Sequence, residues 1–80
     1  MQSVIGFEDK VKTLKCLEAY CYQIAYYLLQ DEALAADAAM KALIRLYQSA
    51  DFFEKTTDVQ RNLTKIMTIR TSLQSKLRLS

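Results

Sequence analysis

Residues 31–48 read DEALAADAAMKALIRLYQ, and this stretch decides the fold class. From Ala33 to Tyr47 it holds six alanines among other strong helix formers, with no glycine or proline, so local propensity alone favours a helix. Asp31 stands where an N-cap belongs, and Glu32 adds negative charge to the first turn, where the helix dipole favours it. Ala36, Met40, Leu43, Ile44 and Tyr47 recur at helical spacing and mark the expected buried stripe. Asp37, Lys41, Arg45 and Gln48 form a polar row on the other side, with Asp37 and Lys41 as an acid-before-base pair at i,i+4.

On the N-terminal side, a helix is predicted over about 7–30. Val11, Leu14, Leu17, Cys21, Ile24 and Leu28 step by threes and fours along one face, and Glu8 and Asp9 sit in the first turn. Tyr20, Tyr22, Tyr26 and Tyr27 thicken its second half, either as a core edge with hydroxyls reaching water or as a partner-binding face. On the C-terminal side a helix is predicted over about 58–77, opened by a capping box of Thr57 and Gln60. Its expected apolar side is Val59, Leu63, Ile66, Met67, Leu73 and Leu77. Arg61, Thr64, Lys65, Thr68 and Ser72 spread over the other side. The β-branched Thr64, Thr68, Ile69 and Thr71 weaken this helix locally, but no turn residue interrupts it.

Ser49 to Thr57 is the one expected loop. It holds adjacent Phe52 and Phe53. One ring can tuck into the core and the other cannot easily follow, so an exposed aromatic beside a basic helix could stack on an unpaired base. The alternative is that both rings plug the open end of a bundle. One glycine and no proline in 80 residues leave little turn chemistry, so few long elements are expected. The chain reads as all-α, a single domain over 1–80 forming a compact three-helix bundle. The residues before Phe7 and the last few are expected to fray.

Composition narrows function. There is no histidine, so the commonest general base and metal ligand is missing. Gly6 stands alone, so no phosphate-binding glycine loop exists. Cys16 and Cys21 point about 140° apart on a helix, too divergent for a disulfide within it, and without histidine they make a poor zinc site. No enzyme activity, cofactor or metal is expected. No apolar run is long enough to span a membrane, and the N-terminus lacks a signal-peptide pattern. The reading is therefore a cytoplasmic protein with reduced thiols.

Charge is segregated. Residues 61–80 hold Arg61, Lys65, Arg70, Lys76 and Arg78 and no acid, whereas residues 1–60 hold six basic and nine acidic residues. A basic helix of this kind suits a phosphate backbone or an acidic surface, although cations near its C-terminus also complement the dipole.

Ala35 to Tyr47, AADAAMKALIRLY, resembles the second helix of region 2 of bacterial RNA polymerase sigma factors, especially the extracytoplasmic-function type. Tyr20 to Leu29 resembles the helix before it in that family, Gln30-Asp31-Glu32 the polar turn, and Asn62 to Met67 the start of the helix after it. The resemblance covers about residues 11–78. It implies docking on the coiled coil of the largest polymerase subunit through Asp37, Met40, Lys41 and Ile44. It implies binding of promoter −10 DNA through Phe52, Phe53, Arg61, Lys65 and Arg70. A second sigma-like subunit or an anti-sigma protein is a further implied partner, and no membrane is involved. Met40 stands where the family has glutamine, Lys41 where it has an acid, and Asn62 where tryptophan is usual. A reversed charge at an interface changes partner choice more than raw affinity. The alternative reading is a small helical protein–protein interaction module, a regulator or co-subunit of a transcription protein, without direct DNA binding. Its interface would contain Tyr22, Tyr26 and the phenylalanine pair.

Overall fold

The structure is a computed structural model describing residues 6–49 and 51–79. Three helices account for most of it: α1 over Phe7–Leu29, α2 over Glu32–Gln48 and α3 over Thr57–Leu79, with a 3-10 turn at Phe52–Glu54 between the last two. No strand occurs among the described residues. All three helices pack against one another. The expected fraying concerns termini that lie largely outside the described residues.

The joints follow from local chemistry. Helix α1 ends at Gln30, which adopts the left-handed conformation (φ 55°) and returns its backbone N–H to the Tyr26 carbonyl at 2.7 Å. Its side-chain amide donates to the Tyr27 carbonyl at 3.0 Å, so carbonyls orphaned at the helix end are satisfied without glycine. Asp31 caps α2 as expected, with Oδ1 accepting from Leu34 N–H at 2.9 Å. The cap of α3 falls one residue earlier than the predicted Thr57. Thr56 Oγ1 accepts from Val59 N–H at 3.4 Å, and the Thr56 carbonyl accepts from Gln60 N–H at 2.8 Å. Gln60 therefore completes no capping box. Its Nε2 donates instead to the Phe52 carbonyl at 3.2 Å, tying the 3-10 turn to α3.

The loop closes the bundle. Phe52 is 1 % exposed and Phe53 is 7 % exposed. They meet edge-to-face at 5.1 Å and join Leu17 and Leu46, with Leu14, Leu43 and Met67 packed alongside. Tyr47 also meets Phe53 edge-on at 6.2 Å. Lys10 lies over both Tyr47 and Phe53, with Nζ 5.6 and 5.4 Å from the ring centroids. Both rings thus plug the open end. At the opposite end Ala25, Ala35 and Ala38 form a second cluster with Tyr22 and Leu29 against it.

The buried faces of α2 and α3 differ from those the apolar periodicity marks. Helix α2 buries Ala35, Ala38, Ala39, Ala42 and Leu46. Of the expected stripe only Leu43 packs inward. Ala36, Met40, Ile44 and Tyr47 are exposed. Helix α3 buries Thr64, Thr68, Thr71 and Ser72, while Val59, Leu63, Ile66, Leu73 and Leu77 face out. The physical reason is twofold. Alanines let helix backbones approach closely, so large side chains are pushed to the rim. The threonine hydroxyls are satisfied where they lie: Thr64 donates to the Gln60 carbonyl at 2.6 Å and Thr68 to the Thr64 carbonyl at 2.7 Å. Thr71 donates across to the Ala38 carbonyl at 3.0 Å. A hydrogen-bonded hydroxyl removes most of the burial penalty. Helix α1 behaves as its pattern predicts, with Leu17 and Cys21 buried, and adds Ala25.

Candidate nucleic-acid groove and protein-docking face

Two separate surfaces gather some of the residues singled out from sequence. The first is a groove between α1 and α3. One stretch of it, about 480 Å³, is lined by Tyr20, Asp58, Val59, Arg61, Asn62 and Lys65. An adjoining stretch of about 340 Å³ is lined by Tyr20, Gln23, Ile24, Tyr27, Leu28, Lys65 and Ile69. Tyr20 and Lys65 belong to both, so the two form one channel, charged at one end and apolar at the other. The Arg61 guanidinium lies over the Tyr20 ring at 5.0 Å, a cation–π contact that holds the charge in place. Tyr27 is 78 % exposed and offers an open ring face at the apolar end. Such a groove can take a phosphate beside Arg61 and Lys65 and a planar ring against tyrosine.

The second surface is the outward face of α2, where Asp37, Met40 and Ile44 stand in a row with Tyr47 one step further. Met40 is 62 % and Ile44 50 % exposed. Lys41 is not a free cation on this face, because its Nζ lies 2.9 Å from Asp37 Oδ2. The Lys41 and Asp37 charges offset each other, leaving Met40 and Ile44 as the apolar part of this face. An exposed pair of this kind adds little stability.

The five DNA-contact residues implied by the resemblance do not share a site. Arg61 and Lys65 meet at the groove. Arg70, five residues after Lys65, points about 140° away around the helix and is exposed on the outward side. Phe52 and Phe53 are buried, so neither ring face is open to a base. The Arg78 side chain lies outside the described residues. Tyr22 and Tyr26 stack at 6.0 Å with rings 17° apart on a different side of α1 from Tyr20, and burial with nearby Glu32 pushes the Tyr22 hydroxyl pKa up.

Sequence reasoning grouped the tyrosines without separating them. The signal that separates them is spacing: Tyr20 and Tyr27, seven apart, fall on the same helix face. The cysteines are free, Cys16 exposed and Cys21 buried. Burial pushes the Cys21 thiol up, reinforced by Glu18 and partly offset by the polar Thr68 side chain beside it. Among the described residues no group of three cysteines or carboxylates could hold a metal ion, and no helix is long and apolar enough to cross a membrane. Neither a protein-family model, nor a curated protein, nor a solved structure matches this chain.

Proposed function

We propose that this chain is a cytoplasmic transcription protein resembling region 2 of bacterial sigma factors, which docks on the RNA polymerase core through the outward face of α2 and holds one strand of promoter −10 DNA in the α1–α3 groove. The observation that carries the reading is the presence of two chemically different surfaces on one bundle: the exposed apolar Met40 and Ile44 beside the Asp37–Lys41 ion pair on α2, and an aromatic channel at Tyr20 with Arg61 and Lys65 outnumbering Asp58. Stacking moves from the buried Phe52 and Phe53 to Tyr27, with Tyr20 held under Arg61. A base on an open tyrosine ring contributes about 1–3 kcal/mol. Two phosphates neutralised by Arg61 and Lys65 give a log–log salt slope of about −1.4 on a single strand.

The test is a titration of fluorescent non-template-strand DNA, with and without RNA polymerase core, at two salt concentrations. Arg61→Glu with Lys65→Glu is expected to remove the salt-dependent strand contact and leave polymerase association intact. Met40→Glu with Ile44→Glu is expected to do the reverse. Failure of the chain to associate with polymerase, together with indifference of strand binding to the Arg61 and Lys65 changes, removes the proposal. A second reading, an interaction module without DNA contact, is favoured by one specific observation: the outward apolar line on α3.

A further inference from the structure

Five large aliphatic side chains on α3 face solvent in one line. Val59, Leu63, Ile66, Leu73 and Leu77 are 42, 36, 50, 47 and 73 % exposed. With the exposed Arg70 they step by four, three, four, three and four residues. That is the a/d rhythm of a helix–helix seam, sustained for nearly three heptads. The inward side of the same helix is already occupied by Thr64, Thr68, Thr71 and Ser72, so nothing inside the described chain covers the seam. Contiguous apolar exposure of this extent marks an interaction site.

We infer that the α3 seam receives an amphipathic helix of another protein, one with aliphatic side chains in heptad spacing and a carboxylate where it meets Arg70. Charge selects this occupant. Helix α3 carries Arg61, Lys65, Arg70, Lys76 and Arg78 against Asp58 alone. Covering Arg70 without an acid leaves an unpaired buried charge, which is strongly unfavourable, whereas a carboxylate opposite it satisfies both groups. A second copy of this chain fits poorly. Parallel pairing sets Arg70 against Arg70. The antiparallel register centred on Thr68 matches Val59 with Leu77 and Leu63 with Leu73, but puts the two Arg70 side chains in adjoining layers with no acid on the seam. Nucleic acid satisfies the cations but not the aliphatic line, which has no ring face for a base. Of the flanking positions Gln60, Asn62, Met67, Ile69 and Gln74 are uncharged and Lys76, beside Leu77, is cationic, so Arg70 is the charge within the core line and Lys76 adds to the same preference for an acidic partner. The inference does not rest on the polymerase reading: it uses no residue of the α2 row and shares only Val59, at the end of the seam, with the α1–α3 groove.

The experiment uses two fluorescein-labelled three-heptad peptides with leucine at the a and d positions. One has glutamate at the central core position and the other has lysine there. Each is titrated with the full chain by anisotropy. The glutamate peptide is expected to bind at least about tenfold more tightly than the lysine peptide, the range of a close charge pair at an interface. Arg70→Glu is expected to invert that order. Ile66→Glu is expected to abolish binding of both peptides with an unchanged helical circular-dichroism spectrum, because Ile66 is half exposed. The inference is overturned by absence of binding by either peptide, by a peptide order indifferent to Arg70→Glu, or by a homodimer in sedimentation that Ile66→Glu dissolves, which assigns the seam to a second copy. Loss of single-stranded DNA binding in Ile66→Glu without any peptide binding assigns it to nucleic acid and overturns it equally.

Discussion

Enlarging one alanine on α2 should damage this protein more than truncating the exposed Met40. Ala38 has no exposed surface, packs with Ala25 and Ala35, and offers its carbonyl to Thr71 at 3.0 Å. Ala38→Leu adds three carbons where the helices touch, and overpacking of this kind costs about 1–3 kcal/mol. Driving α2 from α3 also stretches the Thr71 bond, worth about 0.5–1.5 kcal/mol. The total, about 2–4 kcal/mol, is a large part of the about 4–12 kcal/mol expected for a chain of this length. At about 4–8 °C per kcal/mol, Tm should fall by about 10–30 °C. Met40, by contrast, is 62 % exposed. Met40→Ala removes little buried surface and should cost under about 1 kcal/mol, part of it returned by alanine's helix propensity. Thermal and urea unfolding followed by far-ultraviolet circular dichroism measures both. A larger loss for Met40→Ala than for Ala38→Leu would refute the assignment of the buried face of α2, because that is the order required if Met40 and Ile44 were core.

Two further outcomes are expected. The Ser72 hydroxyl is buried without a hydrogen-bond partner among the described residues, so Ser72→Ala should raise stability by about 1 kcal/mol; a lower urea midpoint in the variant would show that the hydroxyl is satisfied in solution. With a chromogenic disulfide reagent at mildly alkaline pH, Cys16 should react at once and Cys21 at least about tenfold more slowly, since burial and a raised pKa both lower its accessible thiolate. The same raised pKa favours the neutral thiol in the folded state. Its stabilising effect is complete below the ordinary thiol value of 9.0 and is lost as pH rises beyond it through the folded value. Cys21→Ala should therefore lessen the alkaline loss of stability; equal thiol rates in the native protein would contradict this placement.

The candidate site was legible in part. The α2 face at Asp37, Met40 and Ile44 is exposed, although helical spacing alone places Met40 and Ile44 in the buried stripe. Arg61 and Lys65, four apart, could be placed on one face from spacing alone. Their neighbour Tyr20 could not, because nothing in a linear pattern states which α1 face meets α3. Arg70 shows the limit of counting charge by segment, since its position around the helix separates it from Lys65 although both lie in the same basic stretch.

Helix number, helix bounds and the Asp31 cap follow from the chain itself, because propensity, spacing and capping are local and act within a few residues. The inward face of α2 and α3 does not. It depends on which helices approach closely enough to prefer alanine, and on hydroxyls such as those of Thr64 and Thr68 finding acceptors one turn back. Once those contacts form, the bulky aliphatic side chains are left outside. Only packing in three dimensions compares these alternatives, because each helix alone could bury either face.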